Sequence, residues 1–173
     1  MFSLGKEELQ ERLESLDADA ADLFADEGRY HVFIAGGGAL ILMDYTTRAT
    51  SDIDVIDATK ALYKLFAKYQ MNGHIAAHMN SFLYNYEDRL IPLWSGEKID
   101  FYAVSLEDIV ISKLCAGRPP DWDDLKVVAK YVNWEKIDEL VSDEDELRTL
   151  KMTDRQFSEF RHAYEKYTTE HKT

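Results

Sequence analysis

"HVFIAGGGALILMDYTTRATSDIDVID", residues 31–57, decides the fold of this chain. Its opening apolar run predicts a buried strand, its three glycines predict a tight turn, and GALILMDY predicts a short helix. DIDVID, which contains β-branched residues, predicts a second strand. A strand, a glycine turn, a helix and an acidic strand in succession indicate an α/β arrangement.

The glycines Gly36, Gly37 and Gly38 leave backbone amides without side-chain cover where a strand passes into a helix. Such a turn can donate several N–H groups to a phosphate beside a helix N-terminus. Two familiar phosphate motifs are excluded. The dinucleotide-binding fingerprint requires a further glycine where this chain has Ile41, and the ATPase phosphate loop requires a lysine followed by a hydroxyl residue.

Asp52 and Asp54 are two residues apart, so on a strand their side chains point to the same face. Adjacent carboxylates repel each other unless a cation joins them, and a divalent ion shared with substrate phosphates is a natural partner. A solvent-facing strand edge is the alternative interpretation. Asp100 interrupts the apolar strand KIDFYAV, and would complete a three-acid cluster if that strand pairs beside DIDVID. Otherwise Asp100 lies on the exposed face of an antiparallel edge strand.

The remaining chain predicts an early alternation of strands and helices followed by helices alone. Apolar spacing in residues 4–27 predicts an N-terminal helix. The other predicted elements are a helix at 59–70 capped by Thr59, strands at 81–86, 89–94 and 98–104 with a Ser95-Gly96 turn, and helices at 105–117, 121–132, 133–141 and 153–171. We therefore predict one α/β (α+β) domain over residues 1–173, with a small mixed β-sheet, flanking helices and a helical C-terminal part over residues 121–173.

Composition limits the class of protein. The chain has 173 residues, 46% of them hydrophobic, and a net charge of −13, which disfavours sequence-independent binding to nucleic acid backbones. The single cysteine, Cys115, cannot form an internal disulfide and is predicted to be a small buried hydrophobe. We expect a cytoplasmic protein, because no signal peptide opens the sequence and its longest apolar stretch is too short to span a membrane.

Four pieces in order, AGGGAL, RATSDIDVI, KIDFYAV and LEDIVISKLCAGRPPDWDDL, resemble the DNA polymerase beta-like nucleotidyltransferase superfamily. Within it, the chain is most similar to the AbiEii-type, toxin-associated and minimal nucleotidyltransferases of bacteria. The resemblance covers residues 30–130. It implies a nucleotidyltransferase core that uses two Mg²⁺ ions, with Mn²⁺ as the alternative ion, and binds a nucleoside triphosphate such as ATP.

The resemblance also implies a role for each matching residue. Gly36 and Gly37 would hold the phosphates, while Gly38 stands where many members carry serine or threonine. Asp52 and Asp54 would bind the metal, and Asp100 would be a third metal-binding carboxylate and the general base. Lys113 would bind the triphosphate, and Asp121 and Asp124 would support the site. Arg48 and Thr50 would brace the acidic strand.

Several of these residues have simpler interpretations. Lys113, on a largely apolar helix, would otherwise be a surface lysine with a buried stem. Asp121 follows two prolines and suits a helix N-cap. His74 and His78 have the spacing of a helical zinc pair, but no third ligand accompanies them. The aromatic stripe Phe157, Phe160, Tyr164 and Tyr167 predicts core packing, with a partner groove or a dimer interface as the alternative.

The sequence therefore predicts transfer of a nucleoside monophosphate to an acceptor hydroxyl of a tRNA, a protein or a small molecule. By resemblance alone, the protein would belong to a toxin–antitoxin pair and bind a cognate antitoxin. A basic patch at Arg48, Lys60, Lys64 and Lys68 could contact an RNA. The alternatives are a catalytically degenerate protein that binds nucleotide or a partner, and a scaffold that assembles as a homodimer through its helical half.

Overall fold

The computed structural model describes residues 3–73 and 82–173. The described backbone divides into two compact units. The first contains residues 3–73 and 90–104, and the second contains residues 82–89 and 105–173. His74 and His78, the predicted zinc pair, lie outside the described residues.

The first unit is built on a mixed sheet that has five strands in the described residues, in the order β3-β2-β1-β5-β4. β1 runs antiparallel to β2 and parallel to β5, while β2 pairs with β3 in parallel and β5 pairs with β4 in antiparallel fashion. The strands are β1 (Tyr30–Ala35), β2 (Ile53–Ala58), β3 (Met71–Asn72), β4 (Ile91–Ser95) and β5 (Ile99–Ala103). The predicted mixed sheet is confirmed.

Alternate strand residues such as Val32, Ile34 and Phe101 are buried on one face of this sheet, and a short helix that follows β1 packs against β1 and β2. The first helix, α1 (Lys6–Leu23), buries the leucines whose spacing predicted it. The short helix α2 (Gly36–Leu42) follows β1 directly. The predicted helix at 59–70 is a 3-10 helix, Lys60–Tyr69. Thr59 is its N-cap residue, as predicted, but it makes no side-chain capping hydrogen bond, and its hydroxyl accepts from the N–H of His31 instead.

One acidic residue of α1 organises the β4–β5 hairpin. Asp17 is buried, and its carboxylate accepts hydrogen bonds from the backbone N–H groups of Glu97, Lys98 and Ile99 at 2.8–2.9 Å. Gly96 permits this approach, since a Cβ there would lie 2.3 Å from the Asp17 carboxylate. The predicted turn is therefore held by a buried carboxylate that the local pattern did not reveal.

The second unit is helical in its described residues. It contains α3 (Leu106–Ala116), α4 (Pro119–Val128), α5 (Trp134–Ser142), α6 (Glu144–Leu147) and α7 (Asp154–His171), with 3-10 turns at Tyr86–Arg89 and Ala129–Tyr131. Ser105, Asn133 and Thr153 cap α3, α5 and α7 through their side chains, and Gly117 ends α3 in the left-handed conformation. The predicted helical C-terminal part is confirmed.

The predicted strand at 81–86 is wrong for residues 82–86. Phe82, Leu83 and Tyr86 are buried while Tyr84 is exposed, so the apolar residues follow the spacing of a helical turn rather than the alternation of a strand. Arg89 ends this turn and pairs with the fully buried carboxylate of Asp108, at 2.8 Å for each of two hydrogen bonds.

The aromatic stripe of α7 divides between two environments. Phe160 and Tyr167 are buried, and the hydroxyl of Tyr167 donates to the carbonyl of Leu125 at 2.6 Å. Phe157 and Tyr164 are half-buried and line an open groove of about 800 Å³ along α5 and α7. The core role is thus confirmed for the first pair, and a partner for the groove stays a prediction.

Candidate functional site

The glycine segment packs directly against the start of the acidic strand. Gly36 has a φ of +63°, and a Cβ added to it would lie 2.8 Å from the Oδ2 atom of Asp54. A Cβ added to Gly37 would lie 3.7 Å from the hydroxyl oxygen of Thr50, and a Cβ added to Gly38 would lie 3.9 Å from the Cα of Ile53. The glycine backbone and the carboxylate of Asp54 are therefore neighbours in space as well as in sequence, and only glycine fits at position 36 without strain.

Asp54 lies in β2 opposite Ala35, and Asp52 lies one residue before the strand begins. Both side chains are half-buried. Asn72 on the neighbouring β3 pairs in register with Asp54 and its amide donates to the Oδ1 of Asp54 at 3.4 Å. This amide partner was not predicted, because β3 is only two residues long in the described chain and carries no strand pattern of its own.

Thr50 braces the segment before β2. Its hydroxyl donates to the carbonyl of Asp52 at 3.1 Å, and its backbone exchanges two hydrogen bonds with Leu4. Arg48 has an exposed side chain, and its N–H donates to the hydroxyl of Thr46. The geometry of Thr50 suits the bracing role that the resemblance implies.

Asp100 lies away from the other two aspartates. The expectation that its strand pairs beside β2 is wrong, because β1 separates β5 from β2 in the sheet. Asp100 is in register with His31, whereas Asp54 is in register with Ala35, four residues further along β1. At about 3.3 Å per residue this is an offset of roughly 13 Å along the strand, too far for one ion to join the carboxylates.

Asp100 already forms a salt bridge with Arg29. The guanidinium of Arg29 donates to both of its carboxylate oxygens, at 2.8 Å from Nη2 to Oδ1 and 3.1 Å from Nε to Oδ2. Arg29, with a smaller contribution from Ser95, holds the pKa of Asp100 below its ordinary value against the opposing effect of burial. Among the described residues, no group of three or more His, Cys, Asp and Glu side chains is placed to hold a metal ion.

A β-bulge brings a different acid to the face of Asp54. The register shifts so that Ile34 lies opposite Val55 and Phe33 lies opposite Asp57. Because Phe33 and Ala35 share a face of β1, their partners Asp57 and Asp54 share a face of β2, although they are three residues apart. A regular strand would have placed Asp57 on the opposite face, and the sequence alone carries no sign of the bulge.

Asp57 is hydrogen-bonded to a histidine that the sequence did not single out. The Nε2 atom of His31 lies 2.9 Å from the Oδ2 of Asp57, and its Nδ1 atom lies 3.2 Å from the hydroxyl of Thr59. Both nitrogens of the ring are therefore engaged, which fixes the plane of the imidazole on this face of the sheet.

In the second unit, Lys113 is held by two carboxylates. Its Nζ atom lies 2.9 Å from Asp124 and 3.4 Å from Asp121, and its side chain is only 11% exposed, so the surface-lysine interpretation is wrong. The N-cap of α4 is Arg118 and not Asp121, as the sequence had suggested. Asp121 is the third residue of the helix, and its carboxylate accepts a hydrogen bond from the backbone N–H of Arg118. Burial acts to raise the pKa of Asp121, but the hydrogen bond from Arg118 and the charges of Lys113 and Arg118 outweigh it and lower that pKa.

Cys115 neighbours this cluster in sequence. Burial raises the pKa of its thiol to about 12, so the side chain stays protonated at neutral pH. The residue predicted to be a small buried hydrophobe is half-buried in the structure, and its protonated thiol is unreactive.

The glycine segment and the acidic strand are two parts of the resemblance to nucleotidyltransferases, and Gly36 and Asp54 meet at one end of β1 and β2. The chain belongs to the family described as "Nucleotidyltransferase of unknown function (DUF6036)", whose sequence profile matches residues 11–172. No curated protein and no solved structure is significantly similar to it. The nucleotidyltransferase class is confirmed, and the AbiEii-type branch stays a prediction.

The described helices do not meet the requirements of a membrane span. None of them combines the length and the apolar composition that crossing a bilayer demands.

Proposed function

We propose that the protein transfers a nucleoside monophosphate from a nucleoside triphosphate to an acceptor hydroxyl and releases pyrophosphate. The observation that carries this proposal is the close approach of Gly36 to Asp54, which puts the glycine backbone beside a carboxylate at the start of the acidic strand. Gly36 and Gly37 are half-buried, whereas Gly38 is buried. A triphosphate held by the amides of Gly36 and Gly37 would then lie next to Asp54. In the reaction, the acceptor oxygen bonds to the α-phosphorus as the bond to the pyrophosphate oxygen breaks.

The residues present fit a magnesium ion. Mg²⁺ is usually bound by one or two carboxylates together with substrate phosphates and water, so two aspartates suffice without a third protein ligand. Gly36 leaves the carboxylate of Asp54 in place, because a Cβ at position 36 would lie 2.8 Å from its Oδ2 atom. When bound, Mg²⁺ or Mn²⁺ would neutralise phosphate charge, and a second ion would serve the leaving group.

Each residue of the site then has a role of its own. Asp52 and Asp54 hold the cation, Thr50 fixes the backbone of Asp52, and Asn72 orients the carboxylate of Asp54. The proton of the acceptor hydroxyl passes to a carboxylate of the pair or to water. Asp100 is not assigned to this step, because its carboxylate is bound to Arg29 and displaced along the sheet. Triphosphate binding by Lys113 stays a prediction.

The acceptor is proposed only as a class of hydroxyl, on a tRNA, a protein or a small molecule. The predicted basic patch gives little support to an RNA, since Lys68 pairs with Asp19 at 2.8 Å and the net charge is −13. An antitoxin partner and a homodimer remain predictions drawn from the resemblance and from the aromatic stripe.

The test is transfer of label from triphosphates labelled at the α-phosphate, each supplied with Mg²⁺ and with total tRNA, the protein itself or hydroxyl-bearing small molecules. We expect labelled product and stoichiometric pyrophosphate from the wild type, and loss of both in Asp52→Asn/Asp54→Asn. Asp44→Asn is the matched control, because Asp44 is an exposed acid of the same unit that pairs with Lys6. Equal activity in all three proteins would contradict the proposal.

A second candidate is a nucleotide-binding protein that has lost catalysis. The separation of Asp100 from Asp52 and Asp54 favours it, as does Gly38 in the place of a hydroxyl residue. This candidate predicts magnesium-dependent binding of a triphosphate, abolished by Asp52→Asn/Asp54→Asn, with no label transferred to any acceptor.

A further inference from the structure

We propose that Phe33 and Tyr102 form a platform on which the base of the nucleoside triphosphate stacks, an inference that rests on the proposed function. Phe33 on β1 and Tyr102 on β5 are cross-strand neighbours, and both side chains are half-buried. Their rings meet edge to face, with centroids 5.6 Å apart at an angle of 87°. Aromatic rings on the face of a sheet are a recurrent support for nucleobases.

The platform lies at a suitable distance from the proposed phosphate site. Phe33 is two residues before Ala35, the partner of Asp54, and both lie on the same face of the sheet. Two residues of a strand span about 7 Å. A nucleotide whose phosphates lie beside Gly36 and Asp54 therefore reaches the ring of Phe33 with its base, because the intervening length is that of one ribose.

The platform is held rigidly. The imidazole of His31 packs against Phe33 with centroids 4.7 Å apart, and its two nitrogens are fixed by Asp57 and Thr59. A preformed surface loses little conformational freedom on binding.

Charge on this face also favours a base over a phosphate. Asp57 is 44% exposed beside the platform, and Asp100, two residues before Tyr102 on β5, is paired with Arg29. An exposed carboxylate repels phosphate but can accept hydrogen bonds from the N–H groups that every nucleobase carries. The triphosphate is thus directed to the glycine end of the strands and the base to the aromatic end.

The experiment compares two probes by isothermal titration calorimetry in the presence of Mg²⁺. Inorganic tripolyphosphate reports the phosphate site alone, and the four nucleoside triphosphates report the phosphate site together with the platform. The variants are Phe33→Leu and Tyr102→Leu, which keep apolar volume but remove the ring. Trp94→Leu is the matched control, since Trp94 is 41% exposed on the same sheet but pairs with Phe101 on its other face.

We expect Phe33→Leu to weaken nucleoside triphosphate binding by about 5-fold to 150-fold, the usual value of one stacked base, and to leave tripolyphosphate within about twofold of the wild type. Trp94→Leu should change neither probe. Unchanged nucleotide affinity in both ring variants, or equal weakening of both probes, would overturn the stacking.

The outcomes separate this inference from the proposed function. If the wild type binds neither probe, the proposed function fails and the platform with it. If the wild type binds both probes and the ring variants bind them equally well, only the platform fails.

Discussion

Gly36→Ala should disable the proposed site at a small and calculable cost in stability. Gly36 has a φ of +63°, and the new methyl group would lie 2.8 Å from the Oδ2 of Asp54. Gly117 offers a matched control, because its φ is also +63° but a Cβ there would meet nothing closer than the carbonyl of Leu114 at 3.9 Å. The two variants thus share the backbone strain and differ in the contact with Asp54.

The magnitudes follow from these two effects. An alanine in the left-handed region costs about 1–2 kcal/mol, which applies to both variants. Displacing the carboxylate of Asp54 from its preferred rotamer adds about 0.5–1.5 kcal/mol to Gly36→Ala alone. At about 2–4 °C per kcal/mol for a chain of this size, Gly117→Ala should lower the Tm by about 2–8 °C and Gly36→Ala by about 3–14 °C.

The assay is a thermal melt of each variant with and without a nucleoside triphosphate and Mg²⁺. Gly117→Ala should keep the full ligand-induced rise in Tm, and Gly36→Ala should lose most of it because Asp54 has moved and the phosphate has less room. The reasoning would be refuted if Gly36→Ala had the same Tm as Gly117→Ala and kept the ligand-induced rise in Tm. The contact between residue 36 and Asp54 would then affect neither stability nor binding.

Three further predictions concern ion pairs. Arg89→Ala should lower the free energy of unfolding by about 3–5 kcal/mol in a urea titration, because the fully buried carboxylate of Asp108 loses its cation. Lys113→Met should cost about 1.5–3 kcal/mol by the same measurement, because two carboxylates lose charged hydrogen bonds. Arg29→Gln should lower the free energy of unfolding at neutral pH, because Arg29 lowers the pKa of Asp100 in the folded protein. This contribution is fully present above the ordinary carboxyl pKa of 3.8 and is lost as the pH falls through the lower folded pKa. The stabilities of the wild type and the variant should therefore converge in acid.

The control for the two buried ion pairs is an exposed ion pair, and the control for Arg29→Gln is a comparison of stability at two pH values. Arg155→Ala removes a guanidinium that is 89% exposed and pairs with Glu159, so it should change the free energy of unfolding by less than about 0.5 kcal/mol. An Arg89→Ala or Lys113→Met variant as stable as Arg155→Ala would contradict the burial argument. For Arg29→Gln, a stability difference from the wild type that is unchanged between neutral pH and about pH 3 would contradict the linkage to Asp100.

The sequence predicted the parts of the fold that depend on local spacing. The leucines of α1 recur at helical intervals and are buried, and Asp54 lies beside the glycine turn because β1 and β2 form an antiparallel pair. Such features depend on neighbours along the chain, so an apolar period or a turn residue is sufficient to reveal them.

The parts that escaped prediction depend on strand order and register. The place of Asp100 follows from β1 lying between β5 and β2, and the place of Asp57 follows from a bulge opposite Phe33 and Ile34. Neither feature leaves a local trace, since a slip of one residue reverses the face of every side chain that follows. Lys113 was assigned a surface alternative for the same reason, because its partners Asp121 and Asp124 belong to the next helix.

The measurement that tests the central claim most directly is the magnesium-dependent rise in Tm caused by nucleoside triphosphates in the wild type, Asp52→Asn/Asp54→Asn and Asp100→Asn. At a ligand concentration about 100 times the Kd, binding stabilises the folded protein by about 2.7 kcal/mol, or roughly 5–11 °C. We predict this rise in the wild type and in Asp100→Asn and its loss in the double variant. Loss in Asp100→Asn with retention in the double variant would contradict the account.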